Sequence, residues 1–285
     1  MAGHEETETH MPQSTHQQEE QKPQEERRAS VFDLKLAELH AGDPLRWLRL
    51  GWTDFLQCPR IGLFYGLCFF LMGHALLAVF QAAPAYVLAL SAGFLLMGPF
   101  LCLGLYDASR SLQQGRRPAL RTSLVAWRPT LGTMAIFAGV LLILEMLWGR
   151  ASLVVFAVTF NTMPSTENLL AQLVNPENIE FLITYTVVGG VFAGLIFVTS
   201  AISIPMILDR QVDAISAGLT SIRACLQNPG VMLWWGALIT LLVVLAMLPL
   251  FLGLFVIGPV VGHATWHAYR QICPHAPPAP GSLPA

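Results

Sequence analysis

The apolar stretch from Val231 to Tyr269 is nearly unbroken. As a single α-helix it would be about 58 Å long at a rise of 1.5 Å per residue, against a bilayer hydrocarbon core of about 30 Å. It is too long for one crossing, so the chain must reverse inside it, and Pro249 marks the place for a tight hairpin. Four further apolar runs precede it, giving expected spans at about 61–80, 85–106, 130–148, 181–208, 231–248 and 250–269. Few soluble domains are 54% hydrophobic and only 12% charged with a mean hydropathy of +0.55; repeated long apolar runs are the membrane signature.

Charge placement gives the expected topology. Arg46, Arg49 and Arg60 precede the first span, Arg110, Arg116, Arg117, Arg121 and Arg128 lie between the second and third, Arg210 and Arg223 between the fourth and fifth, and Arg270 follows the sixth. Of the sixteen basic residues only Arg150 falls on the other side, where Glu167, Glu177 and Glu180 lie. The positive-inside rule therefore predicts both termini in the cytoplasm.

One pattern recurs. Gly98-Pro99 to Arg110 has the spacing of Gly258-Pro259 to Arg270, and Pro99, Pro205 and Pro259 are each followed eight residues later by a polar residue and alanine: Asp107-Ala108, Asp213-Ala214 and His267-Ala268. The outward spans also begin alike, at Leu56-Gln57-Cys58-Pro59 and Leu226-Gln227-Asn228-Pro229, and more loosely at Trp127-Arg128-Pro129. Proline is tolerated in a first helical turn, so each marks the start of a crossing. The expected architecture is all-α and polytopic: six transmembrane helices arranged as three related hairpins, with amphipathic interfacial helices at 45–57 and 214–227. In the first of these, Trp47, Leu48, Trp52, Phe55 and Leu56 alternate with Arg46, Arg49 and Asp54, a composition suited to the membrane–water boundary or to packing as a linker helix. Prolines inside spans should free the carbonyls of Leu95, Ala201 and Phe255, and Gly62/Gly66, Gly190/Gly194 and Gly258/Gly262 should allow close helix approach.

Outside this domain of about residues 30–272, residues 1–29 are Gln-, Glu- and His-rich with almost nothing apolar, which predicts a disordered tail. The segment 273–285 is proline-rich and reads likewise. The short apolar run 151–160 either extends the third span or lies along the outer surface, and residues 161–180 read as a polar loop with a short helix. The five cysteines form no CxxC pair, so neither a metal cage nor a disulfide framework is expected. There is no basic patch interleaved with aromatics for nucleic acid.

If the three copies surround an axis, Asp107, Asp213 and His267 can converge near the cytoplasmic face with His263 one turn before His267. Such a set could hold a divalent metal or relay protons; alternatively these are polar span ends pairing with Arg110, Arg210 and Arg270. His263-Ala-Thr-Trp-His267 has the histidine spacing of zinc proteases but lacks their glutamate. His74 and Glu145 lie deeper, with Arg150 near enough in sequence to neutralise the glutamate. No nucleophile elbow, P-loop or dinucleotide fingerprint occurs, and no catalytic residue, metal or cofactor is assigned.

Several of these residues carry a resemblance: Trp47-Leu48 with Gly51-Trp52-Thr53-Asp54, Tyr65-Gly66, Gly98-Pro99 with Leu105-Tyr106-Asp107, Pro205-Met206 to Asp209, and the closing Gly262-His263-Ala264-Thr265-Trp266-His267-Ala268-Tyr269-Arg270. On these the chain resembles, over about residues 31–272, a bacterial, mainly proteobacterial, family of predicted multi-pass integral membrane proteins of unknown function. The resemblance implies a bacterial inner-membrane location and brings no activity, substrate or cofactor. More distantly the hairpins are similar to membrane domains attached to glycerophosphodiester phosphodiesterases, whose catalytic domain has no counterpart here.

Three functions remain in view. A non-enzymatic accessory, assembly or lipid-binding component, partnered by the bilayer and by other membrane proteins or itself, fits the few buried charges. A transporter or channel requires Asp107, Asp213, His263 and His267 to line a connected polar cavity. A metal-dependent membrane enzyme requires them within about 5 Å of one point.

Overall fold

The computed structural model describes residues 34–82, 87–159 and 179–274, and of 87–97, 99 and 100 the backbone alone. The described residues contain no strand. In chain order the helices are α1 (Asp43–Gln57), α2 (Pro59–Ala82), α3 (Val87–Gln113), α4 (Leu120–Ser123), α5 (Leu131–Thr159), α6 (Ile179–Ser200), α7 (Ser203–Arg210), α8 (Ala214–Gln227), α9 (Pro229–Met247) and α10 (Leu254–Ile272). The tails and the loop expected at 161–178 lie outside the described residues.

Proline shapes the helix corners. Cys58, between α1 and α2, has φ −129° and ψ 56°; Asn228, between α8 and α9, has φ −129° and ψ 54°. Each N–H donates to the carbonyl four residues back, Asp54 and Ala224, at 3.0 and 3.2 Å, and a proline then opens the next helix. Two chain segments with the same Leu-Gln-x-Pro pattern thus make the same corner. The looser pattern at Trp127 does not: it follows the short α4 and enters α5 through a 3-10 turn.

Residues 59–82, 120–159, 179–210 and 229–247 are long and apolar enough to cross a membrane. Helix α10, which ends in the polar turn around His267, is not among these. Helix α5 continues without a break to Thr159, so residues 151–159 extend the third apolar helix. Between α9 and α10 the chain reverses over residues 248–253, with Leu250 and Phe251 both in the left-handed region. Phe251 anchors this turn by packing on α2 at Gly73, and its ring lies 5.8 Å from that of His74.

Burial is concentrated at one end of the bundle. Trp47, Tyr106, Met206, Trp235, Trp266 and Tyr269 are buried there. Toward the other end Leu71, Met146, Val154, Val158, Val187, Leu245 and Leu248 are exposed. In water so large an apolar surface is prohibitive; in a bilayer it is the surface that meets lipid, where helices keep their backbone polar groups satisfied internally.

Helix α10 is the centre of the packed end, and its most extensive contacts are with α1 and α2. Close approach is possible because both present glycine. A Cβ at Gly66 of α2 would stand 1.9 Å from the Phe255 carbonyl oxygen, and one at Gly51 of α1 would stand 2.5 Å from that of Val260. Phe255 lies four residues before Pro259, so its carbonyl has lost its helical donor; the Gly66 backbone covers it, a contact of the Cα–H···O kind. Of the other glycines expected at helix contacts, Gly190 and Gly194 have nothing of the described chain within 4 Å, because that side of α6 is turned away from its neighbours.

The fourth apolar stretch is broken before Pro205, at residues 201–202. Helix α8 repairs the break: Ser221 Oγ donates to the Val198 carbonyl at 2.8 Å and accepts from Ile202 N–H at 3.4 Å, while Ser203 Oγ lies 3.1 Å from the Ala217 carbonyl. Residues 34–42, which are outside any helix, close the same end of the bundle. Asn228 holds them with both ends of its amide, accepting from Leu39 N–H (3.0 Å) and donating to Ala37 O (3.2 Å).

Candidate functional site

The polar residues of the packed end form two adjacent systems. The first joins α1, α3 and α10. Asp54 lies in the last turn of α1, Ser109 near the end of α3, and His263 and His267 one turn apart on α10. Ser109 Oγ donates to Asp54 Oδ2 at 2.7 Å and stands 2.7 Å from His263 Nδ1. His267 Nε2 reaches the same Asp54 oxygen at 2.8 Å, and Gln113 Nε2 lies 3.2 Å from His267 Nδ1. Ser109 and His263 are both fully buried. Cys58 Sγ is 4.0 Å from His263 Nε2 and 3.1 Å from the Asp54 carbonyl. Burial, reinforced by the Asp54 charge, pushes the Cys58 thiol up to about 12, so it is no thiolate nucleophile at neutral pH.

Serine, histidine and aspartate within hydrogen-bond reach invite comparison with a hydrolase triad, but the order is wrong. In a triad the imidazole stands between carboxylate and hydroxyl and takes the hydroxyl proton. Here the serine stands between them and gives its proton to the carboxylate, leaving its oxygen to accept from His263. The arrangement is a clamp: one carboxylate gathers a hydroxyl and an imidazole from two other helices, and charge-assisted bonds of this sort are about twice as strong as neutral ones.

The second system gathers the C-terminal ends of α3, α7 and α10 around Asp209. Tyr269 donates to Asp209 Oδ2 at 2.7 Å, Arg270 Nη1 lies 3.3 Å from the same oxygen, and Arg110 Nε is 3.7 Å from Oδ1. Arg210 donates to the Tyr269 hydroxyl (3.1 Å) and to the carbonyls of Cys273 (2.9 Å) and Pro274 (3.1 Å). Three arginines in last helical turns also suit the negative ends of the helix dipoles. A cavity of about 310 Å³ lies between the two systems, walled by Arg110, Gln113, Asp209, Trp266 and Arg270 among others.

Of the residues singled out from sequence, His263 and His267 thus share a cluster, through Asp54 and Ser109. Their hydrogen bonds run to neither Asp107 nor Asp213. Asp107 is half-buried on α3, and Asp213 is the residue that precedes α8. Arg110 and Arg270, expected as partners for those span ends, turn to Asp209. His74 is half-buried, bonded through Nδ1 to the Phe70 carbonyl (3.2 Å), with its ring tilted against that of Phe70 at 4.1 Å. Glu145 is half-buried on α5 while Arg150 is exposed. Among the described residues no three His, Cys, Asp or Glu side chains are grouped to hold a metal ion.

Asp54 was legible as a hint: an acid in the last turn of a helix opposes the dipole and needs another reason to be there. Ser109 carried no such signal.

The described residues are helical, hold four stretches of membrane-crossing length and apolarity, and expose many large apolar side chains; with the family match below, they mark an integral membrane protein associated with the lipid bilayer. Residues 86–209 match the model of a family described as a predicted integral membrane protein (DUF2189). No curated protein and no solved structure matches the chain.

Proposed function

We propose that this protein is a non-catalytic, lipid-binding accessory component of a bacterial inner membrane, crossing it six times as three related hairpins with both termini in the cytoplasm. The observation that carries the non-catalytic reading is the closure of the polar cluster. Asp54, Ser109, His263 and His267 bond to one another and to Gln113, His263 Nε2 faces the Cys58 thiol, and the Ser109 hydroxyl and His263 imidazole are fully buried. A transporter path would need Asp107, Asp213, His263 and His267 in the wall of one cavity, whereas the two histidines are bonded to Ser109, Asp54 and Gln113. The repeat is supported by the matching corners at Cys58 and Asn228. The orientation is supported by the basic residues gathered at the packed end, and by the helices α1 and α8, which leave Leu45, Trp52 and Leu56, and Ile215, Leu219 and Leu226, exposed.

Two readouts on the full chain test this. Reporter fusions after Arg117 and after Leu226 should report the cytoplasm, and one after Glu167 the opposite side; reversal rejects the topology. Protein purified in mild detergent should retain phospholipid in fixed ratio, and reconstituted vesicles should show no proton flux above protein-free vesicles. A flux that disappears in Asp54→Asn would replace this reading with the transporter.

A further inference from the structure

A second cavity, of about 610 Å³, opens where α1 gives way to α2 and faces the loop that follows α3. Its walls include Arg60 at the start of α2 and Arg116 and Arg117 after α3, with Ile61, Leu112 and Cys58 behind them; no acidic side chain lines it. All three arginines are exposed, and none forms an ion pair among the described residues. Arg116 is held by Gln114 and lies within electrostatic range of Asp107 without bonding to it. The volume falls within the range of about 300–1,000 Å³ common to small-molecule sites. Three exposed guanidinium groups around a recess with an apolar back suit a phosphate, which guanidinium groups bind through paired N–H donors.

The surface below the recess specifies which phosphate. On α2 the face that carries Arg60 continues through Leu63, Leu67 and Leu71, three, four and four residues apart, so one stripe runs from the cation into the apolar part of the helix. These leucines are 41%, 44% and 55% exposed, where most of the helix's opposite face is packed on α3 and α10. A soluble phosphate has no use for such a track, whereas acyl chains do.

We propose that the recess binds the headgroup of an anionic phospholipid, with Arg60, Arg116 and Arg117 on the phosphate and the acyl chains along Leu63, Leu67 and Leu71. This rests on the lipid-binding membrane reading above and gives it a place and a lipid class. Basic residues between membrane helices on the cytoplasmic side are physically suited to this, each worth about five-fold in affinity for an anionic surface.

The test is native mass spectrometry of the full chain in detergent, titrated with phosphatidylglycerol or phosphatidylcholine. The wild type is set beside Arg60→Gln/Arg116→Gln/Arg117→Gln and a control, Arg46→Gln/Arg49→Gln, whose arginines are exposed but outside the recess. Wild type and control should prefer phosphatidylglycerol, and the triple variant should lose on the order of 100-fold in its affinity while its melting temperature is unchanged. Equal phosphatidylglycerol binding by the triple variant and the control would overturn the recess as the site while leaving a lipid-binding protein. Absence of any selective lipid binding in the wild type would overturn the wider reading as well. Glycerol 3-phosphate that displaces the lipid at equal concentration would overturn the lipid in favour of a soluble anion.

Discussion

Gly66→Ala puts the packing of α2 on α10 to a quantitative test. The new Cβ would lie 1.9 Å from the Phe255 carbonyl oxygen, 2.8 Å from its carbon and 3.1 Å from its Cα. A carbon–oxygen contact settles at about 3.3 Å or more, so the helices must part by about 1.4 Å. The obstacle is backbone, and no rotamer change relieves it. Overpacking of this kind costs about 1–3 kcal/mol, and parting the helices also strips the Phe255 carbonyl of the surface that covers it. At about 2–4 °C per kcal/mol for a chain of this size, the melting temperature should fall by roughly 2–12 °C. The paired control is Gly139→Ala on α5, where nothing lies within 4 Å of the added Cβ; relief of glycine's backbone entropy, about 0.5–1 kcal/mol in a helix, should leave it neutral or slightly stabilised. Thermal unfolding followed by circular dichroism in the same detergent reads both. A Gly66→Ala protein that melts with the wild type would refute the claim that these backbones touch.

Asp54→Ala should destabilise by about 3–5 kcal/mol, because Asp54 and His267 are each only 10% exposed and the change leaves a buried imidazole and hydroxyl without their shared acceptor. In a double-mutant cycle with His267→Gln, unfolding in denaturing detergent should return about 0.5–3 kcal/mol of coupling; strict additivity would mean that the two do not interact. Burial pushes the thiol of Cys58 to about 12, that of Cys225 to about 11 and that of Cys273 to about 12. The reactive thiolate is therefore scarce at pH 8, and maleimide labelling of the folded protein should be on the order of 10³-fold slower at Cys58 and Cys273 than at a free cysteine. Labelling should still be climbing with pH above about 9, where a free thiol has levelled off; fast labelling at pH 8 would contradict the burial. Asn228→Ala removes both bonds to residues 37–39, at about 1 kcal/mol each, and should speed hydrogen exchange at the Leu39 amide; unchanged exchange would show that the strap is held by other means.

Much of the architecture was legible in the sequence, and where it was not the failures share a cause. The reversal near Pro249 followed from length alone, since no single helix of that span fits a bilayer. The shared corner at Cys58 and Asn228 followed from Leu-Gln-x-Pro, because proline's missing N–H and the preceding residue's restricted backbone act within a few residues. Trp47 and Trp52 were indistinguishable by composition, yet Trp47 is fully buried, with its indole N–H 2.7 Å from Gln271 and its ring edge-on to Trp235, while Trp52 is exposed. Five residues separate them, enough to put them on different faces of α1, and which face meets α10 is not a local property.

The polar clusters make the same point. From the sequence the polar ends of the repeated segments were expected to converge through Asp107, Asp213 and His267; in the structure Arg110, Asp209 and Arg270 meet, and His267 bonds to Asp54. An eight-residue interval from proline fixes a distance along a helix, but it does not fix the rotation of that helix about its axis, and α7 ends in a left-handed Gln211 before Asp213 is reached. By itself the sequence determined the solvent in which this chain folds, the helix starts set by proline and the end that gathers positive charge, because hydrophobic length, proline and charge act over a few residues. Only the tertiary structure decided that Asp54 would hold His267, 213 residues away. That pairing depends on the glycine contacts that press α1 and α2 against α10, and on how far each helix is turned when they do.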